Sequence, residues 1–136
     1  MPHLVILYTG NLEQATDMGA LSRQLADTML AQHDEGGAQV FPTGGTRVLA
    51  YPSAHHAVAD GSGEFGFIYL NLRMGRGRSA AVQQQIGDAL VAAARAHFAP
   101  LLAERRVGIT LQIDVGAEVF DGKLGNLHPL FQTRKD

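Results

Sequence analysis

The 136-residue sequence predicts an α/β (α+β) fold of two consecutive β-α-β units, forming a four-stranded sheet with both helices on one face. Three observations predict it. Short β-prone runs and longer runs of helical period follow one another as strand, helix, strand, and then repeat that order. Clusters of glycine and proline separate the runs. Right-handed crossovers in both units would carry both helices to the same side.

The first strand is His3 to Tyr8, ended by Thr9-Gly10-Asn11. A helix follows from about Asp17. Met18, Leu21, Leu25 and Met29 make its apolar stripe, Thr16 or Asp17 caps its start, and Gly36-Gly37 is expected to stop it. Within FPTGGTRVLAYPSAHH, Thr46 to Tyr51 reads as a short strand, and Pro52 places it at an edge or an end. Ala59 to Gly63 is a loop or hairpin turn. Phe65 to Met74 is the strongest strand. After the turn Gly75 to Arg78, Ser79 is the N-cap of a long helix reaching about Arg105, with a stripe through Val82, Ile86, Leu90, Ala93, His97 and Leu101. Pro100 marks a kink or split in it. Val107 to Val115 alternates as a strand with one wet face, and Leu130-Phe131 in the tail is expected to dock on a neighbour.

The length fits one domain over residues 1–136, with pseudo-halves of about 1–62 and 63–136. A formal net charge of −2 disfavours nucleic acid and anionic membranes as partners. The longest apolar runs read as too short to cross a membrane, and no secretory signal is recognisable, so a cytoplasmic location is expected. There are no cysteines, which removes thiolate chemistry. The six histidines show no ligand-like spacing, so no metal is expected. Ser79 lacks a nucleophile-elbow context, and Asp60 with Glu64 makes no credible catalytic pair.

Pro2 stands directly behind the initiator methionine. As a strand starter it needs no function, because it lacks an N–H for the ladder. Removal of Met1 would instead free a prolyl amine. Its ring fixes the lone pair, and burial beside cations would disfavour its ammonium form. Such a base needs arginines nearby. Arg47 follows Gly44-Gly45-Thr46, and Arg76 and Arg78 sit in the turn before the second helix. Guanidinium groups at such turns suit carboxylates.

The start Pro2-His3, FPTGGTR, GFIYLNLRMGRGRS, AHFAPLLAERR and NLHPLF together resemble the tautomerase superfamily, above all its 5-carboxymethyl-2-hydroxymuconate isomerase branch. The resemblance implies a symmetric homotrimer with a cofactor-free site at Pro2, bordered by a neighbouring subunit. It implies Pro2, Arg47 and Arg78 as catalytic residues, with Arg47 and Arg78 binding a small unsaturated enol dicarboxylic acid; Arg76, from its place in the same turn as Arg78, is a further candidate binder. Two departures stand out: Leu49 occupies a place where members often carry arginine, and Arg76 replaces a usually small residue. Two other readings use the same fold. A protonated Pro2 would serve as the acid in hydration or dehalogenation, and a trimer without activity would serve as a binding protein.

Overall fold

A computed structural model describes residues 2–132. Met1, whose removal the sequence reading requires, lies outside the described residues, as do residues 133–136. The strands are β1 (His3–Thr9), β2 (Val48–Ser53), β3 (Gly66–Met74) and β4 (Val107–Val115); the helices are α1 (Met18–Leu30) and α2 (Ala80–Glu104). They form a four-stranded sheet in the order β2-β1-β3-β4. β1 and β2 are parallel, β3 and β4 are parallel, and β1 meets β3 antiparallel, which joins the two β-α-β units at the centre.

One face of the two central strands is buried. Leu4, Ile6 and Tyr8 from β1 and Ile68, Leu70, Leu72 and Met74 from β3 alternate onto it. Both helices cover this face and touch each other. In α1 the predicted stripe of Met18, Leu21, Leu25 and Met29 is buried, and the Asp17 carboxylate caps the helix by accepting from Ala20 N–H at 2.9 Å. The helix ends at Leu30, earlier than Gly36-Gly37 suggests. Those glycines serve a separate turn. Asp34 Oδ1 accepts from the N–H groups of Gly36 and Ala38, and Gly37 takes φ +85°.

β2 begins at Val48 rather than Thr46 and runs through Pro52. Pro52 is tolerated because β2 is an edge strand, where a missing donor leaves no partner unmet. α2 is one unsplit helix with Pro100 inside it. Ala96, whose carbonyl loses its helical partner to that proline, lies on the exposed side with Pro100, where water can satisfy it. Its buried stripe runs Val82, Ile86, Leu90, Ala94, Phe98 and Leu101. Ala93 and His97 flank it half-buried, because four-residue steps follow the core more closely than three-residue steps here. His97 Nε2 bonds Thr16 Oγ1 at 3.1 Å. By length and composition α2 is apolar enough to cross a membrane, contrary to the sequence reading. Its apolar stripe packs on the sheet core instead.

His128–Phe131 forms a single 3-10 turn that packs against the turn Thr43–Gly45 of its own chain. Gly44 permits this approach, since a Cβ there would stand 2.5 Å from His128 Cα. Leu130 remains exposed.

Candidate active site

Pro2 is buried and immediately precedes β1. Leu4 N–H donates to the Arg47 carbonyl at 3.1 Å, and parallel pairing starts at Leu4 opposite Val48. The residues before β2 therefore lie beside the head of β1. On the other side, His3 stands opposite Arg73, and continuing that register puts Pro2 beside Met74. The turn holding Arg76 and Arg78 follows directly. The fold thus gathers residues 2–3, 44–47 and 73–78 at one end of the sheet, although they are far apart in sequence.

The electrostatics of that end are cationic. The imidazole of His3 has its pKa lowered, first by burial and next by the Arg47 guanidinium; Arg73 acts in the same direction and Asp121 opposes it. Guanidinium groups so placed disfavour a further cation near them at this end of the sheet. Arg47 takes part in none of the ion pairs among the described residues.

The three predicted arginines differ in what they touch. Arg78 is half-buried. It donates to the carbonyls of Val40 at 2.9 Å and Gly75 at 3.2 Å, and its guanidinium lies 5.7 Å from the ring centre of Phe41. It lines a cleft of about 230 Å³ that also holds Arg76, Asp34 and Glu35. Glu35 accepts from Ser79 Oγ at 2.6 Å, and this bond is the main cause of its lowered pKa. Arg76 is exposed, and its Nε donates to Gly116 O at 3.3 Å, which fastens the segment after β4. Arg47 opens into a different cleft of about 390 Å³, walled in part by Lys123 and His128. Within one chain, Arg47 and Arg78 share an end of the sheet but open into separate clefts. Leu49 sits half-exposed on the open face.

The sequence reading did not single out His3, Arg73, Lys123 or His128 for this end. Arg73 carried a signal in its alternation off the buried face of β3; His128 carried one in its place within NLHPLF. For Lys123 nothing in the sequence distinguished it from a solvated lysine.

A mixed four-stranded sheet with two helices on one face, and a buried proline at the head of a central strand, defines a protein of the tautomerase fold. A family model described as 5-carboxymethyl-2-hydroxymuconate isomerase matches residues 2–131. The 5-carboxymethyl-2-hydroxymuconate Delta-isomerase of Escherichia coli is 26% identical over 132 residues, covering 97% of this chain and 100% of that protein. A crystal structure of a 5-carboxymethyl-2-hydroxymuconate delta-isomerase is 63% identical, with a TM-score of 0.95 over 100% of this chain and 96% of that one. A 5-carboxymethyl-2-hydroxymuconate isomerase from Deinococcus radiodurans R1 is 34% identical, with a TM-score of 0.85 over 97% of this chain and 95% of that one. The chain belongs to the 5-carboxymethyl-2-hydroxymuconate isomerase family, and it is an isomerase.

Proposed function

We propose that the protein isomerises 5-carboxymethyl-2-hydroxymuconate, or a close dienol acid, as a cofactor-free homotrimer with Pro2 as the proton carrier. The observation that carries this reading is the burial of Pro2 beside Arg47 at the head of β1, in a chain of this family. The named substrate is a triacid, since muconate has two carboxylates and the carboxymethyl arm adds a third. That is one more than the sequence reading allowed.

Once Met1 is removed, the neutral Pro2 nitrogen takes the proton from the 2-hydroxyl group. The electron pair spreads over oxygen 2, carbon 3 and carbon 5. The prolinium then delivers the proton to carbon 5, leaving a 2-oxo group conjugated with a carbon 3–carbon 4 double bond. One O–H bond breaks and one C–H bond forms, so atoms and electrons balance. Arg47 and Arg78 stabilise the dienolate and hold carboxylates. Their separate clefts in one chain suit a site completed by a second subunit. The open sheet face, with Leu7, Leu49, Tyr51 and Phe67 exposed, supports the same assembly.

Pro2→Ala, with methionine removal verified by mass spectrometry, is expected to lower kcat by about 10²–10⁴. A variant that isomerises at the wild-type rate would overturn the mechanism. Nitrogen NMR titration of Pro2 separates the base from an acid role in hydration or dehalogenation: a base must be largely neutral at the working pH.

A further inference from the structure

Building on that reading, we infer that the C-terminal arm supplies a third carboxylate anchor: the cleft shared by Arg47, Lys123 and His128 receives the carboxymethyl carboxylate. Three carboxylates need three cationic contacts. The cleft at Arg78 is poorly suited to more than one, because Asp34 and Glu35 stand on its wall. Among the described residues, the cleft at Arg47 has no carboxylate in its lining; Gly44, Leu124 and Leu127 join the three basic residues there.

Each basic group has capacity to spare. Arg47 is in no ion pair among the described residues. Lys123 Nζ meets Asp121 Oδ2 at 2.7 Å, but both side chains are about half exposed, at 51% and 52%. An ion pair so wet holds its partners weakly and exchanges readily for a substrate carboxylate. The ammonium also keeps two further donors. His128 Nδ1 is shut off from solvent and lacks a hydrogen-bond partner among the described residues. A buried polar nitrogen of that kind calls for a partner, and a carboxylate supplies one when the His128 ring turns towards the cleft. It lies against Gly44, and a side chain at that position would come within 3.0 Å of it. The arm reaches the proposed reaction centre as well, since Asp121 is close enough to act on the charge of His3.

Lys123 and His128 would then select for the third carboxylate without entering the proton transfer. The test compares 5-carboxymethyl-2-hydroxymuconate with 2-hydroxymuconate, which lacks the arm. In Lys123→Ala and in His128→Gln the ratio of KM for the triacid to KM for the diacid is expected to rise about tenfold, the loss of one charge-assisted hydrogen bond. An unchanged ratio in Lys123→Ala, an exposed position whose replacement leaves the fold intact, overturns the inference. Calorimetric binding of tricarballylate against glutarate reads the same subsite without turnover. A preference for tricarballylate that Lys123→Ala abolishes supports the anchor even where the wild-type enzyme turns over neither muconate, an outcome that would defeat the proposed reaction alone. Equal affinity for the two acids in the wild type overturns the anchor alone.

Discussion

Tyr8 shows how one side chain couples fold and pH. It is buried under the helices, and its hydroxyl donates to Glu13 Oε1 at 2.5 Å, tying β1 to the turn that follows. Burial first, and then the hydrogen bond to Glu13, push the phenol up to about 12 from its ordinary 10.0. A folded-state pKa above the unfolded one adds stability that is complete below pH 10.0 and is lost as pH rises towards about 12. Tyr8→Phe is expected to cost about 1 kcal/mol at neutral pH. In urea titrations the gap between the two proteins should narrow as pH rises from 10.0 to about 12. A gap that stays constant would show that the phenol does not titrate in this way. At this scale the sequence was only partly legible. Pro2 and the arginines could be read as candidates from residue type and flanking glycines. The contacts that separate them, Arg78 on Val40 O and Arg76 on Gly116 O, depend on backbone atoms more than thirty residues away.

Among the elements, the two helices were readable because their periodicity is local. Capping chemistry named Asp17 and Ser79, and both side chains accept from the third residue beyond them. The errors have local causes as well. A glycine pair reads as a helix stop until Asp34 is seen to organise it into its own turn. A proline reads as a break until its position on the exposed side of α2 is known. The pairing of the tail turn with Thr43–Gly45 is the element contact on which the proposed subsite rests. Gly44→Ala places a methyl against His128 backbone, so the tail must shift. Overpacking of this kind costs about 1–3 kcal/mol. Hydrogen exchange at residues 127–132 should accelerate in the variant while exchange in β1 and β3 stays slow. Unchanged exchange at the tail would show that the turn accommodates a side chain.

Across the whole molecule, one sheet face is core and the other is open. Leu7, Leu49, Tyr51 and Phe67 lie exposed there, and Val119, Phe120 and Leu124 stand exposed along the arm. Self-association would bury such surface. Sedimentation equilibrium of the wild type is expected to give three times the chain mass, and Leu49→Glu to give a smaller species. A monomeric wild type would remove the trimer from the proposed function. The element order, the helical stripes and the candidate base were all written in the sequence, because each depends on neighbours a few residues apart. Tertiary structure alone decided which strands are central, where the tail docks, and which basic groups share a cleft. Those outcomes depend on register between distant strands: pairing Leu4 with Val48 and His3 with Arg73 is what carries residues 2, 47 and 73–78 to the same end of the sheet.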